Sequence, residues 1–231
     1  MSYVKTIVCL ANSYKPPRGR CIAGRQVVAK GKYGDWIRPV SARPKAEVAL
    51  SECSYKNKSI PQILDIVEVP LLSAVPNNPQ TENHILDPKS WWIKKGALQW
   101  EELEQLREEP PSLWANNNHT KAGLNDCITS EEASTVQNSL WLIKKKDFTV
   151  EVGFKTWDGV RSRTYRGNFK YKGVSYSLSI TDPAVRNAFA RKDEGQYQLT
   201  DVYLCISLTE PFEEDGRCHK LIAAVIRNPP L

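Results

Sequence analysis

The sequence lacks a long apolar run. Its first unbroken apolar stretch, residues 7–11 (Ile-Val-Cys-Leu-Ala), is followed at once by the polar Asn12 and then by a basic segment. A signal peptide needs a longer apolar centre, and a membrane-spanning helix needs about 20 apolar residues. We therefore expect a cytoplasmic protein with no membrane partner.

Sequence signatures of metal sites and catalysis are also lacking. The six cysteines include no C-x-x-C pair, and only Cys218-His219 places two zinc ligands side by side. Zinc fingers and ribbons need close ligand pairs, so we expect no structural metal and interpret the cysteines as reduced thiols. Neither G-x-S-x-G, H-E-x-x-H nor the phosphate-binding G-x-x-x-x-G-K-[ST] occurs. We expect no cofactor and favour a function other than catalysis. An enzyme using Asn12, Arg20 and Arg38 around a small anionic ligand remains an alternative.

What the sequence does contain is a clear strand pattern at residues 168–181. If Lys172-Gly173 forms a two-residue turn, with glycine supplying the positive φ, the flanking residues alternate without exception between two faces. The apolar face carries Phe169, Tyr171, Val174, Tyr176, Leu178 and Ile180, and the polar face carries Asn168, Lys170, Ser175, Ser177, Ser179 and Thr181. The pattern predicts a β-hairpin with Phe169 and Tyr176 side by side in the core.

The elements around this hairpin predict a barrel. Upstream, Asp158-Gly159 favours a second tight turn and hence a meander of three strands. Downstream, Asp182 suits a helix N-cap and Pro183 the first helical position, and strands follow near residues 202–208 and 220–226. Three strands, a helix and two strands is the order of the OB fold, a five-stranded barrel. A small α+β sheet with the same order is the alternative.

The N-terminal part also shows strand-like segments separated by turns, but its pattern is less regular. Residues 4–10, 21–28, 36–40 and 63–72 have strand character, and the basic residues 12–20 are predicted to form a loop. Residues 100–107 predict an acidic helix. We predict a mostly β protein with two tandem OB-like β-barrels and short helices. The N-terminal domain would span 1–95, an acidic helix and linker 96–138, and the C-terminal domain 139–231.

Charge is distributed unevenly along the chain. Residues 1–60 hold 12 Lys or Arg against 3 Asp or Glu, residues 61–138 hold 5 against 12, and residues 139–231 hold 15 against 11. Two basic blocks thus flank an acidic middle, which favours a polyanionic partner for the basic surfaces. OB barrels bind single strands with a basic groove and aromatic platforms, so single-stranded nucleic acid is the expected partner.

Ten residues are candidates for this surface. In the first block, cations alternate with Tyr14, Tyr33 and Trp36, and we expect phosphate contacts and a stacking platform there, with a buried Trp36 as the alternative. In the second block, Trp157 lies near the first turn, and the outer face of the predicted hairpin offers two cations among small serines, with an ordinary solvated face as the alternative. The candidates are Arg18, Arg20, Arg25, Lys32, Trp36, Arg38, Arg161, Arg163, Arg166 and Lys170.

A resemblance to a known family rests on eight segments and on their order along the chain. The segments are residues 3–13, 20–24, 36–41, 64–67, 82–84, 139–140, 181–183 and 220–224. Together they resemble the bacterial family of dual OB-containing domain proteins. The resemblance implies two tandem OB domains and a nucleic-acid role, in the setting of phage-defence or mobile-element systems, and it carries no catalytic residues. A protein partner, such as a nuclease or helicase docking on the acidic residues 100–109, is the alternative.

Overall fold

The computed structural model describes residues 2–16, 18–157 and 159–231, and for Trp157 it describes the backbone. The chain divides into two compact units, Met1–Arg107 and Glu108–Leu231. Residues 96–107 therefore belong to the first unit, and residues 108–138 belong to the second.

The first unit is a closed barrel of five strands with a sixth strand at one edge. β1 pairs with β2 and β4, β3 pairs with β2 and β5, and β5 returns to β4, which closes the circuit. β3 and β5 run parallel, and the other pairs are antiparallel. The strands are β1 (Tyr3–Lys15), β2 (Gly19–Ala29), β3 (Lys32–Val40), β4 (Asp65–Ala74), β5 (Asn83–Leu86) and β6 (Ile93–Ala97).

Closure of this barrel depends on a close approach between β1 and β2. The register of their pairing shifts between Cys9 and Ala11, and Gly24 lies opposite Cys9. A Cβ at Gly24 would lie 2.0 Å from the Val8 carbonyl oxygen, so the position requires glycine. The irregular register bends β1 and lets it pair with β2 on one edge and β4 on the other.

Two segments of the first unit differ in extent or type from the sequence-based expectation. The predicted loop at residues 12–20 is wrong for most of its length, because β1 continues to Lys15 and β2 begins at Gly19; Pro17 lies outside the described residues. The acidic segment forms a 3-10 helix, Trp100–Leu106, whose Leu103 and Leu106 are buried. A second 3-10 turn spans Leu50–Glu52.

The second unit has the same strand circuit. β8 pairs with β9 and β11, β10 pairs with β9 and runs parallel to β12, and β12 returns to β11. Its elements are β7 (Cys127–Ile128), α1 (Ser130–Ser134), β8 (Leu140–Trp157), β9 (Val160–Tyr171), β10 (Val174–Ile180), α2 (Pro183–Ala188), β11 (Gly195–Pro211) and β12 (Cys218–Ile226). Both units therefore have the OB strand order, and the alternative α+β sheet is excluded.

The helix between the third and fourth barrel strands forms as predicted. Asp182 is the N-cap of α2 and accepts a hydrogen bond from the Ala184 backbone N–H at 2.8 Å. Its second carboxylate oxygen accepts from the Val225 N–H, also at 2.8 Å. The 4% exposed Asp182 thus joins the start of the helix to the last strand.

The predicted hairpin is confirmed. Phe169 pairs with Tyr176 across β9 and β10, and their rings stack with centroids 5.4 Å apart. Both side chains are buried, and Tyr171 donates from its hydroxyl to the Pro110 carbonyl oxygen at 2.7 Å. The upstream turn joins Trp157 to Val160, and its predicted Asp158 lies outside the described residues.

Candidate nucleic-acid interface

Exposed cations of the first unit lie at the ends of β2 and β3. Arg18 precedes β2, Lys30 follows it, and Lys32 begins β3; all three are exposed. Within the described part of the chain, no carboxylate forms an ion pair with any of the three. Their charge is therefore available to an external polyanion.

Two arginines of β2 contact aromatic rings. The Arg20 guanidinium carbon lies 4.4 Å from the centroid of the Tyr14 ring, which is 40% exposed. The Arg25 guanidinium lies 5.8 Å from the Trp36 ring, and its Nε donates to the Gly34 carbonyl oxygen at 2.7 Å. Stacking against a ring restricts the guanidinium and lowers the entropy lost when it binds a ligand.

Arg38 and Trp36 are not on the surface, contrary to the expectation that they contact nucleic acid. Trp36 is 5% exposed and Arg38 is 2% exposed. The Arg38 Nε and Nη2 donate to the same Glu82 carboxylate oxygen at 3.0 and 2.9 Å, and Nη1 donates to the Cys21 sulfur. A buried guanidinium requires such partners, because an unpaired charge in the interior is costly. Arg38 is therefore a structural residue of the barrel.

The hairpin between β8 and β9 carries two arginines of the second unit, the exposed Arg161 and the half-buried Arg163. Arg161 and Arg163 lie over the Phe154 ring, with guanidinium carbons 3.9 and 4.7 Å from its centroid. Arg163 Nη1 also donates to the Lys192 carbonyl oxygen at 2.5 Å. Arg161 has a long ion pair of 4.0 Å with Glu194, and both side chains are 65% exposed. This hairpin presents two arginines oriented by one phenylalanine.

The outer face of β9 and β10 differs from the prediction. Arg166 was expected to point into solvent, but its side chain is 13% exposed and forms an ion pair of 3.0 Å with Asp126. Its Nε donates to the Ser177 hydroxyl at 3.1 Å and its Nη1 to the Ser179 hydroxyl at 3.2 Å. Lys170, four residues further along β9 on the same face, is exposed. Hence the face offers Lys170 but not Arg166 to a ligand.

A loop of the same unit occupies this part of the surface. Leu124 forms backbone hydrogen bonds in both directions with Ser177, and the Asn125 side-chain amide donates to the Ser175 carbonyl oxygen at 2.9 Å. A Cβ at Gly123 would lie 1.7 Å from Asp126 Oδ2 and 2.4 Å from Arg166 Nη2, so the loop needs glycine there. Sequence patterning of the hairpin could not reveal the loop, because the loop is 40 residues or more away along the chain.

Two histidines have polar side-chain partners: His219 Nε2 lies 3.3 Å from a carboxylate oxygen of Asp215, and His84 contacts a tyrosine. His84 Nδ1 lies 2.6 Å from the Tyr3 hydroxyl, while the neighbouring Glu82 is bonded to Arg38. Burial lowers the pKa of His84, and Lys5 adds to that effect. No cluster of three or more metal-ligating side chains occurs among the residues described. In the same part of the chain, no helix is long and apolar enough to span a membrane.

The acidic segment keeps part of its charge at the surface. Glu101, Glu104 and Glu109 are exposed, and Glu104 forms an ion pair of 2.7 Å with Arg107.

Comparison with known proteins gives one family. The model of a family described as dual OB-containing domain matches residues 5–225. No curated protein and no solved structure matches the chain.

Proposed function

Because the chain belongs to the dual OB-containing domain family, we propose that it binds single-stranded nucleic acid through exposed cations of its two barrels. The observation that carries the proposal lies in the first unit, where the exposed Arg18, Lys30 and Lys32 have no carboxylate partner among the described residues. Arg20 adds an ordered guanidinium beside the exposed ring of Tyr14. Cations with an aromatic neighbour are what OB folds use to hold phosphates and stack bases.

The second unit contributes a separate set. Arg161 and Arg163 on Phe154 supply two charges at the β8–β9 hairpin, and Lys170 supplies a third on the outer face. Phosphate contacts from such side chains carry no sequence information, so little sequence preference is expected. We infer a cytoplasmic accessory role in a bacterial phage-defence or mobile-element system, which the sequence resemblance motivates.

The test is a titration of labelled single-stranded DNA and RNA, with duplexes for comparison, at several salt concentrations. For single strands the logarithm of the binding constant falls with the logarithm of salt with a slope of about −0.7 per neutralised phosphate. The Lys30→Ala/Lys32→Ala variant should flatten that slope by about 1.4 if each lysine contacts one phosphate.

The matched control for this test is Lys45→Ala/Lys121→Ala, which removes two exposed lysines outside the candidate surface. It should leave the slope nearly unchanged. Absence of binding to any DNA or RNA at low salt would falsify the proposal. Equal slopes for both double variants would show that the β2 and β3 cations do not contact the strand.

The exposed carboxylates of residues 100–109 support a second candidate, docking of a basic protein partner such as a nuclease or helicase subunit. A stable complex formed in the absence of nucleic acid would favour it. Glu101→Gln/Glu104→Gln should then weaken the complex without altering nucleic-acid affinity.

A further inference from the structure

The first unit contains an open cleft away from the β2 and β3 cations. Its volume is about 850 Å³, and two segments line it, the loop that precedes β4 and the segment that leads into β6. These segments are joined at Tyr55 and Trp92, which form a parallel β-bridge, and the Trp92 N–H donates to the Ser54 carbonyl oxygen at 3.3 Å. The cleft is therefore built on backbone pairing rather than on side chains alone.

Two consecutive tryptophans give the cleft its aromatic character. Trp92 points into the barrel core and is 1% exposed, whereas Trp91 is 50% exposed. Both line the cleft, together with Ile60 and Ile93, and Ile93 is itself 53% exposed. An indole half open to solvent beside aliphatic side chains is a surface on which a planar ring can stack.

The charge lining the cleft is positive. Its one carboxylate, Asp65, is buried and already saturated: it accepts from the Tyr55 hydroxyl at 2.8 Å and from the Gln62 N–H at 3.0 Å, and Lys94 lies 2.5 Å away. Asp65 thus neutralises Lys94.

Lys56 and Lys89 are the cations that remain. Both line the cleft and are exposed, and neither forms an ion pair in the described ranges, although Asp87 is close enough to Lys89 to interact with its charge. Asp87 lies near the rim, where it accepts from the Lys89 backbone N–H at 3.0 Å and from the Ser90 hydroxyl at 2.8 Å. Those bonds lower the pKa of Asp87, and the charge of Lys89 adds to the effect.

We propose that this cleft binds a nucleotide, with the base stacked on Trp91 and the phosphate held by Lys56 and Lys89. The aromatic ring and the two lysines together select a ligand that has both a planar base and a phosphate. A stacking surface alone would accept any planar ring, and two lysines alone would accept any anion, whereas a nucleotide satisfies both at once. The site goes beyond the proposed strand-binding surface, because it uses different residues.

The experiment is a titration of the full chain with adenosine 5′-monophosphate, adenosine and inorganic phosphate, followed by tryptophan fluorescence and by calorimetry. The monophosphate is expected to bind saturably in the millimolar range or tighter, and more tightly than adenosine or phosphate. Trp91→Ala should weaken it at least about fivefold, the lower end of the effect of removing a stacking aromatic. Lys56→Ala/Lys89→Ala should bring its affinity down to that of adenosine.

Matched variants separate this proposal from strand binding. Lys30→Ala/Lys32→Ala should leave affinity for the monophosphate unchanged, and Trp100→Phe should leave the fluorescence change on binding largely intact, since Trp100 does not line the cleft. If a short single strand displaces the monophosphate, the natural ligand of the cleft is a nucleotide within a strand. If the strand does not displace it, the natural ligand is a free nucleotide.

Two results would overturn the site. One is the absence of saturable binding by the monophosphate at millimolar concentration. The other is binding that Trp91→Ala and Lys56→Ala/Lys89→Ala leave intact. Circular dichroism of both variants checks that the barrel is folded, which is expected because all three side chains are at least half exposed or lie outside the core.

Discussion

Arg38 and Glu82 form a buried ion pair in the first barrel, between strand β3 and the residue that precedes its neighbouring strand β5. Burial alone would lower the pKa of Arg38, but Cys21 and Glu82 raise it above its ordinary value, so the guanidinium stays charged. Removing one partner leaves the other charge buried without a counter-charge. Arg38→Met should therefore lower the free energy of unfolding by about 3–5 kcal/mol, measured by urea denaturation.

Two further variants test that interpretation. Arg38→Met/Glu82→Leu should lose less stability than Arg38→Met, because no charge is left unpaired. Arg43→Met, which breaks the half-exposed pair of 2.7 Å with Glu52, should cost about 1 kcal/mol or less. If Arg38→Met is as mild as Arg43→Met, the buried pair does not stabilise the barrel.

The hairpin core of the second unit offers a second prediction. Phe169→Ala removes a 7% exposed ring that stacks on Tyr176, and should cost about 3–5 kcal/mol in chemical denaturation. Lys170→Ala, the exposed neighbour on the same strand, should change stability by no more than about 0.5 kcal/mol. Similar losses for both variants would contradict the inward position of Phe169.

A buried lysine predicts a pH dependence of stability. Lys220 is fully buried, and its Nζ donates to the Ala115 carbonyl oxygen at 2.5 Å and lies 5.3 Å from the Tyr176 ring. Burial lowers its pKa to about 8, against the opposite effects of Cys127, Glu132 and Asp126. The unfolded chain has the ordinary value of 10.5. Between these two pH values Lys220 has lost its proton in the native state but still carries it in the unfolded state.

The sign of the effect follows from linkage. Below about pH 8 both states are protonated and the native state carries a charged, buried lysine. From there towards pH 10.5 the unfolded state binds more protons, so rising pH favours the native state by up to about 1.4 kcal/mol per pH unit. The stability of the wild type relative to Lys220→Met should therefore rise over this range in urea denaturation. A difference that stays flat over this pH range would contradict the prediction.

The cysteines give a chemical prediction. The six cysteines form no disulfide; Cys21 is half-buried and the other five are buried. Burial raises the pKa of Cys53 and of Cys218 to about 11, which lowers the fraction of reactive thiolate. Alkylation of native protein should label Cys21 first. After denaturation without reductant, mass spectrometry should count six labels, and a count of four would reveal a disulfide.

Local patterns in the sequence were sufficient for the order of the barrel strands and of α2 in the second unit. The unbroken alternation around Lys172-Gly173 fixes which face of each strand is apolar, and a shift of one residue would expose that whole face. Asp182 and Pro183 mark the start of a helix through interactions within one turn. These are short-range effects, so they can be seen without knowing what lies across the barrel.

The functional residues depended on contacts that are distant in sequence. Arg38 and Arg166 have the same local character as exposed basic residues, and only Glu82 and Asp126, each 40 or more positions away, decide that they are bound internally. The Trp91 cleft was missed for the same reason, although Lys89 and two adjacent tryptophans were visible as a signal. Sequence determined which residues alternate and where strands turn, because backbone geometry acts locally. Only the tertiary structure decided which charges remain free, because a charge is neutralised by whatever the fold places within a few ångströms of it.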